Sequence, residues 1–97
     1  MAYRIAWTES AWQDLESAVA YIANDSPRYG SALMDEARFA ARSLRRFPKR
    51  GRLTPELNDP TVRELFVKQY RLIYEVSGDR VVILAFLHGA RQFPENI

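Results

Sequence analysis

The sequence predicts an α+β fold of order β-α-α-β-β-β, with a two-helix hairpin on one face of a mainly antiparallel sheet and a three-stranded meander at the end. Three observations carry that expectation. Apolar residues alternate in the opening "YRIAW", recur at helical spacing in two segments split by "NDSP", and return as strand-like runs in "VRELFV", "YRLIYEV" and "RVVILAFLH". The 97 residues keep this patterning without repeats or linkers, so one domain over residues 1–97 is expected.

In the first strand Tyr3, Ile5 and Trp7 share a side. From Thr8 or Ser10 the period turns helical through Ala11, Leu15, Ala18, Val19 and Ile22, and Ser10 with Gln13 has the spacing of a capping box. This helix should reach Asn24. Ser26 then offers a cap and Pro27 a first-turn residue for a second helix. Its apolar stripe is Tyr29, Leu33, Ala37, Ala40, Leu44 and Phe47, and Pro48 stops it. Arg38, Arg42, Arg45 and Lys49 recur at helical spacing and form a basic stripe beside it.

"GRLTPELNDPT" reads as one long loop punctuated by Gly51, Pro55 and Pro60. Gly78-Asp79 is a strong hairpin turn, whereas Lys68-Gln69 is weaker because neither residue favours positive φ. A two-residue turn at Gly78-Asp79 pairs Val76 with Val81 and carries Arg71 opposite Phe86 and Gln69 opposite His88. Arg71 and Glu75 then share a face with Val82, Leu84, Phe86 and His88, away from the helices, with Arg91 just past the strand. Arg63 falls on the helix side if the Lys68-Gln69 turn has two residues, and beside Arg71 if the loop is one residue longer or bulged. The second placement is expected, because burying an unpaired arginine is costly. The last strand is apolar on both sides, so something should cover its outer face: a partner, or the tail "QFPENI" with Phe93 folded back.

The chain has no cysteine and one histidine, which excludes disulfides and thiolate sites and argues against an all-protein zinc site. No metal and no cofactor is expected. "MAYRIAWTES" lacks the features of a signal peptide and no apolar run is long enough to span a membrane, so a cytoplasmic chain without membrane association is expected. The net charge is only +2, but it is unevenly spread. Ile5 to Pro27 holds four acids and no Lys or Arg, while Ala37 to Pro55 holds seven basic residues and no acid. Twelve of the fourteen basic residues are arginine, whose planar fork suits phosphate and carboxylate.

"YRLIYEVSGDRVVILAFLHGAR" resembles the C-terminal half of the RelE/ParE superfamily of type II toxins, with its Tyr-Arg-aliphatic-x-Tyr strand and His-Gly-x-Arg-like ending. "TESAWQDLESAVAYIA" is similar to that family's first helix, and "LRRFPKRGR" to its Leu-x-x-Phe-Pro-x-x-Gly-Arg helix exit. The resemblance implies a toxin that forms a hetero-oligomer with a co-expressed antitoxin. Its target would be DNA gyrase in the ParE-like branch, or messenger RNA on the ribosome in the RelE-like branch.

For an RNA-cleaving toxin the resemblance implies phosphate binding by Arg71 and Arg91, with Arg63 as a further candidate and His88 or Glu75 as substitutes for the acid and base. That branch carries lysines on the strand before the Tyr-Arg strand and an aromatic residue or histidine in a C-terminal helix. Here that strand offers Arg63 and Glu64, and six residues follow Arg91. The "LHGAR" ending and the helix exit look more like the gyrase-directed branch, which is thought to act by binding. On that reading Arg63, Arg71, Glu75, Val82, Leu84, Phe86, His88 and Arg91 form a target- or antitoxin-binding surface, beside the stripe of Arg38, Arg42, Arg45 and Lys49. In the plainest alternative Arg71 pairs with Glu75 on its own strand face.

Overall fold

The computed structural model describes residues 2–89. The elements follow in the order β1 (Arg4–Trp7), α1 (Glu9–Asp25), α2 (Pro27–Ser43), β2 (Arg52–Leu53), β3 (Val62–Val67), β4 (Tyr70–Ser77) and β5 (Arg80–His88). The α1 cap is Thr8, whose hydroxyl accepts from the Ala11 amide at 3.0 Å. Ser10 lies inside the helix and Gln13 bonds Glu9 instead, so the Ser10–Gln13 capping box does not form. Ser26 serves both helices: its amide donates to Ile22 O at 3.0 Å to close α1, and its hydroxyl accepts from the Tyr29 amide to open α2. With Pro27 in the first turn, one residue makes the hairpin.

The second helix stops at Ser43, short of Pro48, and the chain continues in tight turns, with Leu44 N donating to Ala41 O and Arg45 N to Arg42 O. Arg45 and Lys49 therefore leave the helical stripe predicted for them. Leu33, Ala37 and Leu44 are buried as expected, while Tyr29 and Phe47, expected in the same apolar stripe, are exposed.

The sheet order is β1-β5-β4-β3-β2, with β1 parallel to β5 and the other pairs antiparallel. Two features fix what each face carries. At the β3–β4 turn Lys68 takes φ 54° despite its side chain, so the turn has two residues and Arg63 pairs with Tyr74. The expected placement of Arg63 beside Arg71 is thereby corrected. Between β4 and β5 the Gly78-Asp79 turn starts the expected register, but Tyr74 pairs with Ile83 and Ile73 with Ala85, leaving Leu84 as the extra residue of a bulge. Beyond it Arg71 faces Leu87 and Tyr70 faces His88, one residue off the expected pairing.

One core layer lies between helices and sheet, with Leu15, Leu33 and Leu44 packed against Leu65, Leu72, Tyr74, Val81, Ile83 and Phe86. A second cluster on the outer face joins Val62, Ile73, Ala85 and Leu87, with Leu57 from the β2–β3 loop and Leu84 packed on it. Part of the cover expected over that face is thus the chain's own loop. The tail with Phe93 lies outside the described residues. Where β1 has ended, the Phe86 amide donates to Asp14 Oδ2 of α1 at 3.1 Å, which satisfies a buried donor.

The hairpin is tight enough to test. A Cβ at Gly30 would stand 2.7 Å from Ala23 Cβ and 3.0 Å from Val19 O, so a side chain there forces the helices apart. Gly30→Val is expected to lower stability by about 1–3 kcal/mol, read from the midpoint of denaturant unfolding. An unchanged midpoint would show that the helices do not pack this closely.

Candidate functional site

The register of β3 and β4 brings four charged side chains into a row on the outer sheet face. Glu64 and Arg71 are diagonal neighbours across the strand pair, since Glu64 faces Ile73 and Phe66 faces Arg71. The β2 strand sets Arg52 opposite Glu64, and the β2–β3 loop brings Glu56 over Arg71.

Arg71 is 6% exposed and Glu64 wholly buried, so each needs a partner where it lies. Arg71 Nε donates to Glu64 Oε1 at 2.9 Å and Nη2 to the same oxygen at 2.6 Å. Its two terminal nitrogens also grip Glu56, Nη1 to Oε2 at 2.7 Å and Nη2 to Oε1 at 2.6 Å, a bidentate fork. Arg52 Nε donates to Glu64 Oε2 at 2.6 Å, and its guanidinium lies 5.1 Å from the Phe66 ring centre. The row alternates in sign and sums to zero. Glu56, and then Glu64, hold the Arg71 guanidinium above its ordinary pKa against the opposing effect of burial. The Arg71 hydrogen bond in turn keeps the Glu56 carboxyl below the ordinary glutamate value.

The expected surface is divided by the sheet. Val82 lies on the Arg71 face opposite Glu75, and Leu84 packs into the outer cluster, both as expected. Glu75 is half-buried between Val62 and Val82, and the ion pairs of Arg71 run to Glu56 and Glu64 rather than to Glu75. Phe86 and His88, expected beside Arg71, lie on the helix side because the Leu84 bulge shifts the alternation. Phe86 stacks on Tyr70 at 5.0 Å, and the exposed His88 meets the same ring edge-on at 5.4 Å. Arg71 and His88 therefore do not converge. Arg91 lies outside the described residues.

Arg63 sits on the helix side and is satisfied there, its Nη1 donating to Gly51 O at 2.8 Å and to Lys49 O at 3.4 Å. Beside it the buried Tyr74 hydroxyl accepts from the Gly51 amide at 3.0 Å and donates to Pro48 O at 2.7 Å. Burial pushes this phenol above its usual pKa, so it stays a neutral donor. Of the basic stripe, Arg38, Arg42 and Arg45 line a groove with Arg4, Ile5 and Trp7, while Lys49 lines an adjoining one with Tyr3, Arg46, Phe47 and Arg50. Glu56, Glu64 and Arg52 complete the outer row without having been singled out as site residues. Glu64 becomes predictable once the β3–β4 turn is given two residues.

Two changes test this cluster. Glu64→Gln leaves a buried guanidinium under-neutralised and is expected to cost about 3–5 kcal/mol, whereas replacing the pair, Glu64→Leu with Arg71→Met, should recover most of that. If the double variant is no more stable than Glu64→Gln, the two residues are not coupled. Because the Glu56 pKa is lowered by folding, its contribution is present above the unfolded glutamate pKa and is lost as pH falls through the lower folded value. Glu56→Gln should therefore flatten the acid limb of the stability profile in urea melts between about pH 5 and pH 2. Equal acid slopes for the two proteins would mean that Glu56 is not held by Arg71 in solution.

Comparison with known proteins bears on what such a fold does. Residues 5–93 match the family model described as ParE toxin of type II toxin-antitoxin system, parDE. Toxin RelE2 of Caulobacter vibrioides is 35% identical over 89 residues, covering 91% of this chain and 97% of that protein. The toxin-antitoxin complex RelBE2 of Mycobacterium tuberculosis contains a chain that is 27% identical, with TM-score 0.62 over 91% of this chain and 99% of that one. A chain of the chromosomal ParDE system of P. aeruginosa, 20% identical, shares the fold with TM-score 0.72 over 90% of this chain and 96% of that one.

Proposed function

The chain belongs to the ParE toxin family of type II toxin–antitoxin systems, and on that premise we propose that it inhibits DNA gyrase by binding it and is neutralised by a cognate antitoxin. The observation that carries this reading is the state of Arg71. By motif this is the arginine an RNA-cleaving relative would place on the phosphate, and here its fork already holds two carboxylates at 2.6–2.9 Å. A guanidinium so occupied is a poor seat for the charge that develops in phosphoryl transfer, which needs donors aimed at the reacting oxygens. Arg63 is spent on loop carbonyls. His88 is on the far side of the sheet from Arg71. Binding makes no such demand on an acid and base close to one cation.

The antitoxin half of the proposal rests on family membership and on the solved relative seen as a toxin-antitoxin complex. A RelE-like ribosome-dependent ribonuclease is the second reading, favoured by the identity to the relative named RelE2. It would use Arg71, Arg91, Arg63 and His88.

Purified protein in a gyrase supercoiling assay, run beside a translation reaction read by primer extension, separates the two. Inhibited supercoiling with intact messages is expected. Codon-phased cleavage with normal supercoiling would establish the ribonuclease instead.

A further inference from the structure

We infer that the surface formed by the end of α2 and the turn after it, bounded by β1, is a binding site for the phosphodiester backbone of a nucleic acid. It is separate from the Arg71 row, and it goes beyond the gyrase reading. Two adjoining grooves make it up, one walled by Arg38, Arg42 and Arg45 together with Arg4, the other by Arg46, Lys49 and Arg50. No carboxylate lines either groove. Among the described residues Arg38, Arg42, Arg45, Arg46 and Lys49 enter no ion pair, while Arg4 at the edge of the first groove pairs with Asp79 at 3.7 Å and Arg50 donates to the Ser43 hydroxyl.

A second observation separates this surface from an ordinary solvated stretch. The turn that carries the cations is fastened from beneath. Tyr74, wholly buried, holds Pro48 O and the Gly51 amide, and Arg63 holds the carbonyls of Lys49 and Gly51. Two side chains from the sheet thus fix the backbone from 48 to 51. Lys49 and Arg50 therefore start from a fixed backbone, and less backbone entropy is lost at this turn when an anion binds. Phe47 stands 59% exposed in the second groove with the Arg46 guanidinium 5.8 Å from its ring centre. An exposed ring among arginines is the arrangement on which an unstacked base or a sugar can rest.

Charge of a single sign decides between partner classes. A protein interface enriches arginine and aromatic rings at its centre but matches cations with acids across it, so the feature that points to a nucleic acid is the uninterrupted run of one sign along the two grooves. Ile5, Trp7 and Ala41 share the first groove with the arginines and Tyr3, Ser43, Phe47 and Pro48 share the second, and every charge in both is positive. A repeating phosphate chain matches a row of forks that can each hold two oxygens.

The test is fluorescence anisotropy of a labelled DNA duplex and of an RNA hairpin of equal length, titrated with the full chain across a potassium chloride series. Log affinity should fall with log salt at a slope of about −3 or steeper, since each neutralised phosphate contributes about −0.9. Replacing Arg42, Arg45 and Lys49 together by glutamine should weaken binding at least tenfold and reduce the slope by about 2–3. Arg28→Gln, at the opposite end of α2, should leave both unchanged. An unfolding melt confirms that the triple variant is folded. The arm that binds more tightly identifies DNA or RNA as the source of the backbone. A triple variant that binds like wild type overturns the inference. So does polyglutamate peptide binding as tightly as either nucleic acid, which would mark the surface as a seat for an acidic protein. Because neither gyrase nor ribosome is present, failure here leaves the supercoiling result untouched, and failure there leaves this one.

Discussion

A buried guanidinium constrains the outer half of this molecule more than any apolar contact does. Arg71 cannot be left unpaired at 6% exposure, and the carboxylates that neutralise it come from different parts of the chain. Glu64 comes from the neighbouring strand, Glu56 from the loop, and Arg52 from β2 completes the row through Glu64. One charge therefore holds the segment from 52 to 64 against β4. That anchoring keeps the β2–β3 loop where Leu57 can cover Ile73 and Val62. The same bonds occupy donors that a bound phosphate would need, so in this arrangement the guanidinium serves the fold.

The local signals in the sequence were sound, and the long-range register was less so. The hairpin of helices was readable because Ser26 and Pro27 are chemically suited to a cap and a first turn. The Gly78 turn was readable because a glycine at φ 60° is cheap. The bulge at Leu84 was not readable. "VVILAFL" is apolar on both sides, so slipping by one residue exchanges one buried hydrophobe for another and the alternation that normally pins register is silent. Lys68 misled in the opposite way, adopting a φ of 54° that its side chain disfavours because the flanking strands demand a tight turn. Each of these moved a candidate residue to the other face: Phe86 and His88 through the bulge, Arg63 through the turn.

The arginines show why composition alone could not assign roles. Arg52, Arg63 and Arg71 are tied to carboxylates or carbonyls, whereas Arg38, Arg42 and Arg45 point into an open groove without acids. In the sequence all six are alike. What separates them is whether the fold brings an acceptor, and that depends on the pairing of β2 with β3 and of β3 with β4. Arg63 links the two populations, since its bonds to the 49–51 backbone help present the cations of the turn to solvent.

A residue's role can be carried between relatives only together with its neighbours. The tyrosine-arginine strand, "YRLIYEV", identifies the family, yet an arginine in that strand can serve as a phosphate ligand or as a structural cation. The choice is made one strand away. A neutral or basic residue at position 64 would leave Arg71 with fewer acceptors and its fork turned to whatever solvent or substrate reached it. Glutamate at 64, supplemented by Glu56, fills the fork and lets it be buried. The composition of β3 is thus a sharper guide to the chemistry of this face than the conspicuous motif on β4.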